Sequence, residues 1–126
     1  MTEYEALLNE NRTALQALSN HIPIKKAVAI VVSAKFPDEE TALEARKFSK
    51  SITEERDGNA AKASFVVGLK PDENGYYDSE ISIIAAPTAE IITDAELVIR
   101  EACQRFGGEQ PGWDIVLPGT GRVREC

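Results

Sequence analysis

Side chains that commonly carry chemistry are sparse in this chain. His21 is its one histidine, and its cysteines are Cys103 and Cys126. A Ser-His-Asp or Cys-His device would have to use His21. That residue stands just before Ile22-Pro23, where a helix must stop because proline pushes the preceding residue out of helical geometry. It reads as a capping or surface residue. Cys103 falls among apolar residues of a helical pattern, which suits an inert core thiol better than a nucleophile. Two distant cysteines and one histidine are too few ligands for a zinc site, and free thiols suit a reducing compartment. No catalytic residue, metal site or cofactor is expected.

Carboxylates are abundant by contrast. The chain holds 21 Asp and Glu against 14 Lys and Arg, for a formal net charge of −7. They cluster at Asp38-Glu39-Glu40, Glu54-Glu55 and Asp72-Glu73. With so many, chance pairs at catalytic distance are expected, and no pair is set apart from the rest. The clusters read as solvated surface or as a docking face for a basic protein. Nucleic-acid binding needs a basic stripe, and the balance here is the reverse, so direct binding is not expected. Gly107-Gly108 follows a helical pattern instead of opening one, which is the wrong order for a phosphate cradle. Phe65, Tyr76 and Tyr77 lack the basic, aromatic-rich setting of an RNA-stacking sheet and read as core and edge packing.

The candidate residues are therefore contact residues: Asp38, Glu39, Glu40, Glu54, Glu55, the outward-facing Leu43, and Trp113. Tryptophan serves either as a large apolar anchor or as an interface hot spot.

The elements that must position these groups follow from periodicity. At 126 residues the chain suits one domain with a real core. No run approaches the length that crosses a bilayer, and the acidic N-terminus lacks the pattern of a secretory signal, so a cytoplasmic protein is expected. Tyr4, Leu8, Asn11, Leu15 and Leu18, with Leu7 and Ala14 beside them, predict an amphipathic helix within residues 1–22. Asn11 is its polar exception and is of the kind that sets register in a helix seam.

Ala27 to Phe36 predicts a central strand buried on both faces. Pro37 is placed as the first residue of a helix, with acids in its first turn and Ala42, Ala45, Phe48, Ser49 and Ile52 on one face. Ala63–Leu69 and Tyr76–Ala86 predict a hairpin around Pro71–Gly75. Thr93 and Glu96 form a capping-box pattern before a helix that Gly107 stops. Gln110-Pro111-Gly112 predicts a turn, Trp113–Leu117 a last strand, and residues 119–126 a loose tail.

The order is a helix and then β-α-β-β-α-β over residues 23–118. This predicts an α+β, ferredoxin-like sandwich with a four-stranded antiparallel sheet and two helices on one face. The other sheet face is expected to be covered by the N-terminal helix or by a second copy in a homodimer.

The run from Phe106 through Gly107, Gly108, Glu109, Gln110, Pro111 and Gly112 to Trp113, following an amphipathic helix, resembles the regulator of ribonuclease E activity B (RraB) family. Phe36-Pro37-Asp38-Glu39-Glu40 and Ala86-Pro87-Thr88 are similar in kind, and the likeness spans about Ala27 to Leu117. It implies a cytoplasmic, non-catalytic protein that binds and restrains a ribonuclease E-like endoribonuclease. An immunity protein or antitoxin against a basic nuclease toxin is the alternative in the same binding class. An enzymatic or small-molecule-binding dimer using the open sheet face is the alternative in another class.

Overall fold

A computed structural model describes residues 2–21, 27–56, 63–117 and 121–124. The expected stop at Pro23, the loop through Asp57-Gly58-Asn59, the side chain of His21 and Cys126 lie outside the described residues. The elements are α1 (Glu3–His21), β1 (Val28–Phe36), α2 (Glu39–Arg56), β2 (Ala63–Val67), β3 (Tyr77–Ala85), α3 (Ala89–Phe106), β4 (Glu109–Leu117) and β5 (Gly121–Arg124). The protein is α+β, with one open antiparallel sheet in the order β2-β3-β1-β4-β5. The sheet thus has a fifth strand beyond the four expected: Gly121–Arg124, read from sequence as tail, pairs with β4.

Strand alternation decides which face holds the core. On β1, Val28, Ile30, Val32, Ala34 and Phe36 are buried and join Ile81 and Ile83 of β3 and Trp113 and Ile115 of β4 in one cluster. The registers Ile30↔Ile83, Val32↔Ile81 and Val32↔Trp113 put them on the same side. The opposite face carries Val31, buried, with Ala29, Ser33 and Lys35 half-buried, so β1 is central and only partly buried on its second face, not wholly as its apolar run suggested.

All three helices lie on the core side. Helix α2 covers β2 and β3, α3 covers β1 and β4, and α1 packs against α3. With a helix on each flank and the sheet beneath it, α3 is buried on three sides. This accounts for its long list of buried residues, from Ala89 through Ala102, Thr93 and Glu96 included. Leu7, Asn11 and Leu18 of α1 are buried, with Ala14 and Leu15 packed against the core, so the predicted stripe from Leu7 onward is the seam, while Tyr4 is exposed. Each buried leucine contributes roughly 1.5–3 kcal/mol. The stripe faces α3, so α1 does not cover the open sheet face.

The ends of the helices are set locally. Asp38 caps α2: the Thr41 N–H donates to its Oδ1 at 2.7 Å. Pro37 therefore precedes the cap and is not the first helical residue. Helix α3 begins earlier than the sequence pattern suggests, because Thr88 is its cap and accepts from the Ile91 N–H at 3.2 Å. Gly107 ends α3 in the left-handed region at φ 74°. The Gly108 N–H donates to the Cys103 carbonyl at 3.0 Å, which closes the turn in the manner of a Schellman motif.

Beyond Gly108 the chain does not turn but enters β4 at once. Ser33 faces Gly112 while Lys35 faces Glu109, so Gln110 and Pro111 together oppose Ala34 in a β-bulge. Gln110 adopts φ 54° to make it.

Candidate functional site

The contact residues expected from sequence do not form one patch. Asp38, Glu39 and Glu40 stand exposed at the start of α2, and Leu43, 40% exposed, lies one turn on. Glu54 and Glu55 are exposed at the far end of the same helix. At 1.5 Å per residue the two acidic groups are about 20 Å apart. That is more than twice the screening length of roughly 8 Å at physiological salt. Lys47 and Lys50 are exposed between them, and Lys47 pairs with Glu44 at 3.7 Å. Electrostatically these are two surfaces.

Sheet register brings other acids to the first group. Phe36, at the end of β1, faces Tyr77. Lys35 faces Asp78 on one side and Glu109 on the other. The β2–β3 connection with Asp72 and Glu73 therefore meets the start of α2 at one end of the sheet. Asp38, Glu39, Glu40, Asp72, Glu73, Asp78 and Glu109 gather there from four segments, with Lys35 and Lys70 among them and Arg105 in the last turn of α3 before Glu109.

Two of these groups have structural tasks. Asp72 Oδ1 accepts from the N–H groups of Asn74 (2.8 Å) and Tyr76 (3.0 Å) and organises the connection. Its Oδ2 accepts from Lys35 Nζ at 2.6 Å. Lys35 chiefly, and then these backbone donors, hold the Asp72 carboxyl below its ordinary range. The hydrogen bond to Asp72 holds the Lys35 ammonium above its own range. Asp78 adds a second contact to Lys35 at 3.5 Å. Lys35 is thus a fixed positive charge, not a base. The Asp38 carboxyl is held low by the backbone N–H it caps.

Trp113 is 2% exposed and cannot meet a partner; the anchor reading holds and the contact reading is withdrawn. Its Nε1–H donates to Asn11 Oδ1 at 3.1 Å. Asn11 Nδ2 in turn donates to Thr93 Oγ1 (3.0 Å) and Glu96 Oε1 (3.2 Å). Thr93 donates to the Ala89 carbonyl at 2.6 Å, and Arg100 donates twice to Glu96 Oε2, at 3.1 and 2.9 Å. Thr93 and Glu96, read from sequence as a capping box, are instead the interior half of this network. It ties α1, α3 and β4 together. Asn11, a polar residue in an apolar stripe, was the one sequence signal for it.

The remaining chemical candidates are quiet. Burial pushes the Cys103 thiol up to about 11, so it is protonated at neutral pH. Phe65 and Tyr77 pack against the core, and the open-face strand positions among the described residues carry no aromatic. Among the described residues no group of three or more His, Cys, Asp or Glu could hold a metal ion. Nor is any helix among them long and apolar enough to cross a membrane.

The bulge shapes a cleft of about 330 Å³ on the open face, lined by Ser33, Lys35, Asp78, Gln110, Gly112 and Asp114 among others. Its lysine is already paired, and Asp114 is buried and engaged. The cleft thus carries the Ser33 hydroxyl and the Asp78 carboxylate beside a lysine held by Asp72 and Asp78.

No protein-family profile, no curated protein and no solved structure matches this chain.

Proposed function

We propose that this chain is a ferredoxin-like, non-enzymatic regulator that docks a basic protein on its acidic end. The strand order β2-β3-β1-β4 supports the fold reading, with α1 and β5 as additions to it. The observation that carries the function is the convergence at one end of the sheet of acids from the α2 start, the β2–β3 connection, β3 and β4. By the resemblance of the Phe106–Trp113 run, the partner is a ribonuclease E-like endoribonuclease in the cytoplasm. Carboxylates such as Glu39, Glu40 and Glu73 pair with Arg and Lys of the enzyme and compete with its RNA.

Binding to basic segments of such an enzyme is expected to weaken steeply with salt. The variant Glu39→Lys/Glu40→Lys/Glu73→Lys is expected to lose at least tenfold in affinity. Glu54→Lys/Glu55→Lys, at the far end of α2, is expected to change it little. A complex insensitive to salt, or equally sensitive to both variants, overturns the surface. Binding only to a basic nuclease toxin keeps the surface and replaces the partner, as for an immunity protein.

A further inference from the structure

Away from the acidic end, α2 and α3 part over the β2–β3 side of the sheet. They leave a cavity of about 310 Å³ there. Its floor is Ile81 and Ile83 of β3, and Ile91, Ala95 and Val98 of α3 form one wall. The opening follows from side-chain size. Along its buried stripe α2 carries the small residues Ala42, Ala45 and Ser49, and then Ile52. At the cavity α2 offers Thr53 and Arg56, and α3 offers Ala95 beside the larger Ile91, Leu97 and Val98. Thr53 and Ala95, facing each other, are too short to fill the space above the two isoleucines.

The mouth has charged groups, but they are already partnered. Both terminal nitrogens of Arg56 are held by the Glu101 carboxylate, at 2.6 and 3.1 Å. Asp94 is also engaged. The Thr53 hydroxyl donates to the Ser49 carbonyl at 2.7 Å. Among the described residues no spare charge is offered to an ionic headgroup, so selection falls to the apolar lining. An apolar protein cavity of about 150 Å³ already takes up benzene, and this one is about twice that size.

We propose that the cavity between α2, α3 and β3 binds a small uncharged ring compound, of the size of one or two fused rings. The site is separate from the acidic end and does not depend on the reading given to it.

Indole is a suitable probe, titrated into the full chain with methyl-labelled isoleucine and valine and followed by NMR. Saturable shifts are expected at the methyls of Ile81, Ile83, Ile91 and Val98. Ile84, 59% exposed on the opposite face of the sheet, should not move. Ala95→Phe, which fills the cavity, is expected to weaken binding at least tenfold. Ile91→Trp should do the same from the wall, should Ala95→Phe not fold. Arg56→Ala is expected to leave indole affinity within threefold. Benzoate and benzylamine are expected to bind at least tenfold more weakly than indole. The proposal is overturned by unsaturable shifts, by shifts centred on Ile84, or by tenfold loss in Arg56→Ala. It is also overturned if the ligand-free protein shows contacts from those methyls to another segment of the chain.

Discussion

Asn11 shows how one polar side chain can be worth more than the apolar residue its stripe asks for. It accepts from Trp113 and donates to Thr93 and Glu96, all buried. Its removal takes one hydrogen bond from each of them, though Thr93 keeps the Ala89 carbonyl and Glu96 keeps Arg100, and a buried polar group left short of a partner costs about 1–3 kcal/mol. Asn11→Ala is expected to destabilise the protein by about 2–4 kcal/mol, read as a lower urea midpoint at unchanged slope. Combined with Trp113→Phe, it should lose less than the sum of the two, because the pair shares one hydrogen bond. Ser49 is the opposite case. Its hydroxyl is buried with no hydrogen-bond partner among the described residues. Ser49→Ala is expected to leave stability unchanged or raise it by about 1 kcal/mol, and a loss of that size would mean the hydroxyl is satisfied in solution.

At the scale of elements, the junction from α3 to β4 is set by closeness as much as by backbone freedom. A Cβ on Gly108 would lie 2.6 Å from the Phe36 ring and 2.9 Å from Cys103 Sγ. Phe36 is fully buried and cannot yield. Gly108→Ala is therefore expected to cost about 1–3 kcal/mol through overpacking, measured by thermal or denaturant unfolding.

The β2–β3 connection depends on charge in both directions of pH. Asp72 has an ordinary value of 3.8 and a lower one when folded, so its contribution is full above that ordinary value. It is lost as pH falls through the folded value. Lys35 is raised from 10.5, so its contribution is full below that value and is lost as pH rises past the folded one. The stability difference between wild type and Asp72→Asn should be flat between about pH 4 and 10.5 and shrink on either side. A difference that varies across neutral pH would assign the effect to another group.

At the scale of the whole molecule, the three helices among the described residues lie on one face and leave the other face of the sheet without a helical cover, and sheet register collects acids at one end. The paired charge reversals at the two ends of α2 separate a docking surface from general acidity. The Glu39, Glu40 and Glu73 reversals shift net charge by +6 and the Glu54 and Glu55 reversals by +4, from −7, so an affinity loss in the first set with none in the second reports position more than total charge.

Much of the architecture was legible in the sequence because it rests on local periodicity. The α1 stripe, the β-α-β-β-α-β order, the β2–β3 reversal and the stop at Gly107 depend on neighbours a few residues apart. Thr93-Glu96 gives a local signal similar to that of Thr88, but Thr88 caps α3 while Thr93 and Glu96 are buried against Asn11 of α1. Sequence identified the acids but could not say which share a surface; β1 pairing with β3 and β4 decided that, and the length of α2 excluded Glu54 and Glu55. Asn11 was visible as an exception, while its partners, 82 to 102 positions away, were not. Periodicity reports which face of an element is apolar, and only the tertiary packing fixes what that face meets.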